Sequence, residues 1–127
     1  MMPNRKSVER LIQLVENDRT VQAMQEFYAD DATMQENSQP PRVGLAHLLE
    51  HEQQVLRKFK SIHPQPVDAF FIDGDQVVIH WMFDFTTHDD RRFRLDELAY
   101  QTWSGEKIIR ERFYYDPAPQ WLATERH

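Results

Sequence analysis

The chain has 127 residues, 40% of them hydrophobic and 28% charged, with 15 Lys+Arg against 21 Asp+Glu and a net charge of −6. That composition is one globular domain's worth, since splitting it would leave two marginal cores, and its acidic balance excludes a binder that works by neutralising nucleic-acid phosphates. There is no Cys, which excludes disulfides, thiolate nucleophiles and thiolate metal sites, and no apolar run approaches the ~18–20 residues that cross a bilayer.

The expectation is therefore a single domain over residues 1–127. The N-terminal Met-Met-Pro-Asn-Arg-Lys lacks the apolar stretch of a secretory signal. Together with the missing Cys, this points to a cytoplasmic protein that binds neither nucleic acid nor membrane.

In chain order, Ser7 is positioned to cap a helix carrying Val8, Leu11, Ile12, Leu14 and Val15 at helical spacing. Asn17-Asp18 interrupts it, and Thr20 can cap a second helix with Val21, Met24, Phe27 and Tyr28 on one side. A short extended piece, Ala32–Glu36, precedes the loop Asn37-Ser-Gln-Pro-Pro41. Gly44 opens a third helix with Leu45, Leu48, Leu49, Val55, Leu56 and Phe59, ending before Pro64.

From there the pattern is sheet. Val67–Asp73, Gln76–Thr87, Arg91–Trp103 and Lys107–Asp116 are rich in branched and aromatic residues, and Asp73-Gly74-Asp75 and Ser104-Gly105-Glu106 supply hairpin turns. Eleven of the 15 aromatic residues lie between Phe70 and Tyr115, so the aromatic core belongs to the strands. Helices first and long antiparallel strands after is an α+β pattern. It predicts three N-terminal helices packed on a strongly curved, mainly antiparallel sheet that forms a cone.

Alternation assigns the faces. Val77, Ile79, Trp81, Phe83 and Phe85 share a face, as do Phe93, Leu95, Glu97, Ala99, Gln101 and Trp103, and Ile109, Glu111, Phe113 and Tyr115. The odd-numbered set is the more apolar and is placed inside. A loop His88–Asp90 pairs Phe85 with Phe93, Trp81 with Glu97 and, outside, Asp84 with Arg94, a favourable cross-strand pair. A three-residue loop Ser104–Glu106 pairs Trp103 with Lys107, Gln101 with Ile109, Ala99 with Glu111 and Glu97 with Phe113.

This arrangement puts Glu97 and Glu111 diagonally together on the inner face. Trp81 and Phe113 flank Glu97, and Ala99 leaves space opposite Glu111. Carboxyls among aromatic rings beside a small residue suggest a pocket floor. Burial and a like-charge neighbour both disfavour ionisation and raise a carboxyl pKa, which suits a general acid or base near neutral pH. Glu97 and Glu111 are the candidate catalytic residues; Tyr28, Trp81, Ala99, Gln101, Phe113 and Tyr115 are the candidate ligand-binding ones.

The segment Phe27-Tyr-Ala-Asp-Asp-Ala-Thr, Gly44 at a helix start, and the run Gly105-Glu-Lys-Ile-Ile-Arg-Glu-Arg-Phe-Tyr-Tyr-Asp-Pro117 resemble the SnoaL-like branch of the nuclear transport factor 2-like superfamily, from about Ser7 to Pro117. The resemblance implies the same helix-on-cone fold, the cystatin-like roll, with a pocket and with homodimers made through the outer sheet face. It also implies a range of roles: cyclase, dehydratase, epoxide hydrolase, steroid isomerase, or binding and scaffold protein. Inward positions on the later strands carry such a family's polar pocket groups, and Glu97 and Glu111 match them. Where many cyclase-like relatives have His or Asp, this chain has Glu111 and Phe113, so cyclase chemistry does not transfer intact. A steroid isomerase of this kind works with a carboxylate base, a protonated carboxylic acid and a Tyr; by analogy either Tyr28 or Tyr115 would be the Tyr.

Other clusters read more plainly. His47 and His51 share a helix face, but a metal site would need a third ligand from elsewhere, so no metal is expected. The outer face gathers Val78, His80, Met82 and Leu98 with Tyr100, Ile108 and Tyr114, and an apolar face of that size marks an interface; a homodimer is expected there. Asp89-Asp90-Arg91-Arg92 is a solvated hairpin tip, and Trp121 with the tail Leu122–His127 covers an edge or frays. Three functions remain open. The first is a domain binding a small apolar or aromatic cyclic molecule. The second is a cofactor-free isomerase, cyclase or dehydratase using Glu97 and Glu111. The third is a pocketless interaction module.

Overall fold

The computed structural model describes residues 2–123. Helix α1 spans Arg5–Glu16 and is capped by Asn4, whose side chain accepts from the Lys6 N–H at 2.8 Å. Asn is among the strongest N-caps, so the helix starts about one turn before the expected Ser7 cap, and Ser7 lies inside it. Helix α2 spans Thr20–Phe27; Thr20 is its first residue, and Arg19 ahead of it makes no side-chain cap. Tyr28 has already left the helix. It opens strand β1 (Tyr28–Glu36), longer than the expected Ala32–Glu36.

After a two-residue strand β2 (Arg42–Val43), helix α3 runs Leu45–Lys58. Gly44 precedes it at φ 94° and bonds back to Ala32 O at 2.8 Å. That backbone conformation is open to Gly and costly for other residues. Strands β3 (Ser61–Pro64), β4 (Phe70–Asp73), β5 (Gln76–Thr86), β6 (Arg92–Ser104), β7 (Lys107–Tyr115) and β8 (Gln120–Trp121) follow.

The strand order is β2-β1-β7-β6-β5-β3, with β4 also on β5 and β8 on β6. Every pairing is antiparallel except β1 with β7. The fold is the expected α+β architecture, three helices on a curved, mainly antiparallel and unclosed sheet. One apolar stripe of each helix faces the sheet: Val8, Leu11, Ile12 and Val15 from α1, Met24 and Phe27 from α2, Leu48 from α3. They meet Val77, Ile79, Ala99, Trp103 and Ile108, all at most 1% exposed. Each such large side chain contributes roughly 1.5–3 kcal/mol on burial.

The β5–β6 register is the expected one, with Trp81 opposite Glu97, Asp84 opposite Arg94 and Phe85 opposite Phe93. Arg94 grips Asp84 through two hydrogen bonds of 2.7 and 3.0 Å. The β6–β7 register differs. The hairpin turns on Gly105-Glu106 alone, so Ser104 faces Lys107 and Trp103 faces Ile108. A bulge then follows, and Thr102 faces Arg110, Gln101 faces Glu111, Ala99 faces Phe113 and Glu97 faces Tyr115.

The physical reason is phase. A two-residue turn puts Ile108 beside Trp103 on the inner face, and continuing without interruption would bury Arg110. One extra residue, Ile109, restores the alternation and turns Glu111 inward. Ile108 is fully buried and Ile109 is exposed, the reverse of the expected assignment, so Ile108 is removed from the outer face.

That outer face keeps Leu98, Tyr100 and Tyr114 exposed, with Val78 and Met82 half-buried. His80 sits between two carboxylates, Nδ1 2.9 Å from Asp68 and Nε2 2.6 Å from Asp96. At the far edge, Trp121 pairs with Phe93 and its ring lies 3.9 Å from the Arg91 guanidinium, so it covers an edge. The expectation for the tail falls partly outside the described residues, at 124–127.

Candidate functional site

Between the helices and the concave sheet face lies a half-enclosed cavity of ≈ 400 Å³. Strand β5 supplies Trp81, Phe83 and Phe85, strand β6 supplies Glu97 and Gln101, and strand β7 supplies Glu111 and Phe113. Tyr28 and Met34 enter from β1, and α3 closes the other side with Glu52, Val55 and Leu56. The same alternation that buries the odd-numbered residues aims these side chains into one space.

Glu111 is held at the buried end. Tyr28 Oη donates to its Oε1, and Gln101 Nε2 donates to its Oε2 at 2.7 Å. Gln101 is itself fixed, because Trp103 Nε1 donates to its Oε1 at 2.9 Å. Each member of this chain is buried, so each donor and acceptor needs its partner. Burial pushes the Glu111 carboxyl up to about 7, against the hydrogen bonds from Tyr28 and Gln101, which favour the anion. The Tyr28 hydroxyl is raised well above the ordinary phenol value by burial and by Glu111, and so stays a donor.

Glu97 is different. It is 8% exposed, lines the cavity, and makes no hydrogen bond or ion pair among the described residues. Burial first, and then Glu111, Glu36 and Glu52, push its carboxyl up to about 8. One carboxyl is thus clamped by two donors, and the other faces open space. The corrected register places Glu97 level with Tyr115 and Glu111 level with Gln101, so the two glutamates share the cavity wall two residues further apart along the strands than expected.

Of the sequence-derived site residues, Tyr28, Trp81, Glu97, Gln101, Glu111 and Phe113 are brought together on the cavity wall. Ala99 and Tyr115 are not. Ala99 is fully buried between Ile79 and Phe113 in the sheet register. Tyr115 lies opposite Glu97, half-buried, beyond the wall itself. The β6–β7 bulge sets Phe113 beside Ala99 and Tyr115 beside Glu97.

The wall also carries polar residues that were not anticipated, among them Arg19, Glu36, Arg42, His51 and Glu52. Arg42 Nη1 is 3.6 Å from Glu36 Oε2, while its Nε is buried without a partner. Burial raises Glu52 and, with Arg42 nearby, lowers His51. A two-residue strand and a lone Glu at a strand end leave no periodic signal. Phe83 and Phe85 could have been found from the alternation. His47 and His51 acquire no third ligand; among the described residues no group of three His, Asp or Glu is placed to hold a metal ion.

No curated protein is a significant match to the chain. Among solved structures, a protein of Mesorhizobium loti named for SnoaL-like polyketide cyclases superposes with a TM-score of 0.75 at 22% identity, covering 87% of this chain and 97% of that one. A protein of Jannaschia sp. CCS1 named for the same group gives 0.76 at 14%, covering 87% and 83%. TerC, co-crystallised with polyporic acid, gives 0.74 at 16%, covering 87% and 89%. At these identities the likeness is one of fold. The family model for the SnoaL-like domain matches residues 8–111, which is most of the chain, and with the cone and its inward-facing strand positions in place, this chain belongs to the SnoaL-like family.

Proposed function

We propose that the chain is a small-molecule-binding domain whose cavity holds an apolar cyclic ligand. The observation that carries this reading is the ≈ 400 Å³ hollow, lined by Tyr28, Trp81, Phe83 and Phe113 and by the buried carboxyls of Glu97 and Glu111. Ligand sites are concave, mostly apolar and furnished with a few polar groups that set orientation. Trp81 and Phe113 would stack on the ligand's ring, Gln101 and Tyr28 would hold Glu111 against it, and no cofactor is required. A hollow this size argues against the pocketless interaction module. Ring compounds are the first probes, because solved proteins of this fold are named for polyketide cyclases. A compound that binds the native state raises its melting temperature, by an amount equivalent to about 2.7 kcal/mol at a hundred times Kd. A panel of fused-ring compounds that leaves the melting temperature unmoved would end this reading.

The second reading is an acid–base enzyme: an isomerase, cyclase or dehydratase in which Glu97 moves the proton and Glu111 orients the substrate. It is favoured by the contrast between the unpartnered Glu97 and the clamped Glu111. Glu97→Gln should then lower turnover by about 10²–10⁴-fold, far more than it weakens binding. Turnover left intact by both Glu97→Gln and Glu111→Gln would refute it. The same proposal places the protein in the cytoplasm, as a homodimer joined through Val78, His80, Met82, Leu98, Tyr100 and Tyr114.

A further inference from the structure

Charge in the cavity is lopsided. Carboxyls reach its wall from Glu36 of β1, Glu52 of α3, Glu97 of β6 and Glu111 of β7, and from Asp18 in the turn between α1 and α2. Two of the glutamates already have partners. Glu111 already accepts from Tyr28 and Gln101. Glu36 lies beside Arg42. Glu52, on the helical wall, is only half-buried. Glu97 is more than nine-tenths buried, has no partner among the described residues, and lines the hollow beside Trp81, its register partner on β5.

A buried carboxylate is costly unless it is paired, so this position disfavours an anionic ligand and favours a cationic one. The faces of Trp81 and Phe113 add attraction for a cation. The chain's net charge of −6 draws cations toward it. The cations on the wall do not compete, because neither Arg19 nor Arg42 pairs with Glu97, and His51, with its pKa lowered, stays neutral.

We propose that the ligand carries a protonated amine on its ring skeleton and that the ammonium pairs with Glu97 beside Trp81 and Phe113. This rests on reading the cavity as a ligand site. No covalent bond forms or breaks. The ammonium keeps its proton, and Glu97 gives up its own to solvent, so one proton is released for each amine bound below about pH 8. The groups that face Glu97 agree in sign. Glu111, Glu36 and Glu52 all favour its protonated form, and Tyr28 and Tyr115 remain neutral, their pKa values raised. Only the ionised fraction of Glu97 forms the pair, so amine affinity falls about tenfold for each pH unit below about 8.

Isothermal titration calorimetry of the whole chain with naphthylmethylamine, naphthylmethanol and naphthoate tests this. Near pH 8 the amine should bind at least about tenfold more tightly than the alcohol, and naphthoate should bind most weakly. The amine's advantage should shrink toward about pH 6, and its enthalpy should follow the buffer's ionisation heat as expected for one proton released. Glu97→Gln, shown to be folded by circular dichroism, should bring the amine and alcohol affinities together. If the alcohol or the naphthoate binds as tightly as the amine near pH 8, the amine assignment is overturned while the ligand-site reading stands. An amine advantage that persists in Glu97→Gln, or that ignores pH in the unaltered chain, overturns it equally. If none of the three binds or raises the melting temperature, both readings fall.

Discussion

Glu97 and Glu111 share a cavity and differ in what meets them. Tyr28 and Gln101 stabilise the anionic form of Glu111, and nothing does so for Glu97. Tyr28→Phe should therefore push the Glu111 carboxyl higher still. It should also cost about 1–2 kcal/mol in urea unfolding, the usual result of removing one partner from a buried hydrogen bond. The pH dependence has a definite sign. Both carboxyls have folded-state values above the ordinary 4.5, at about 8 and about 7, so the folded state holds protons that the unfolded chain releases. Their contribution to stability is complete below about pH 4.5 and declines as pH rises to about 8, by on the order of a few kcal/mol. Thermal unfolding of Glu97→Gln should show a flatter decline across that window, and a higher melting temperature than the unaltered chain above it. Both glutamates were legible because alternation sets each on the face of apolar residues, Glu97 between Leu95 and Ala99 and Glu111 before Phe113. Arg42 was not, because a two-residue strand has no periodicity to read.

At the scale of elements, the β6–β7 bulge decides which residues reach the cavity. Ile108 and Ile109 are adjacent, identical in type and opposite in burial. Ile108→Ala should cost about 2–5 kcal/mol, and Ile109→Ala should stay within about 0.5 kcal/mol; chemical denaturation of the pair compares them directly. Equal costs would mean that the bulge lies elsewhere. The α3 start is a second test. A Cβ at Gly44 meets open space, but the φ of 94° remains, so Gly44→Ala should destabilise by about 1 kcal/mol or more through backbone strain alone. The faces of β5 and β6 and their register could be read in the sequence, since Asp84 with Arg94 excludes a slip by two. The bulge could not, because Ser104-Gly105-Glu106 is compatible with a loop of two residues or three. Only packing Ile108 against the core settles it. The parallel β1–β7 pairing was equally hidden, because β1 carries Asp30 and Asp31 and has no clean alternation.

For the whole molecule, the long amphipathic strands and the three helical stripes already specified helices on a cone, and with it an inside and an outside. The outside carries exposed Leu98, Tyr100 and Tyr114 on adjacent strands, the surface of the proposed homodimer. A dimer made there should weaken at least about tenfold in Leu98→Lys, because a charge is then buried unpaired, and light scattering with size-exclusion chromatography reports it; a monomer in the unaltered chain would remove this face from consideration. The inside buries Glu97 and Glu111 on the wall of one hollow. Carbon-13 NMR titration of the glutamate side-chain carboxyls tests it most directly. Two resonances should titrate near or above neutrality, one missing in Glu97→Gln and the other in Glu111→Gln. Glutamates that all titrate within the ordinary carboxylate range would contradict it.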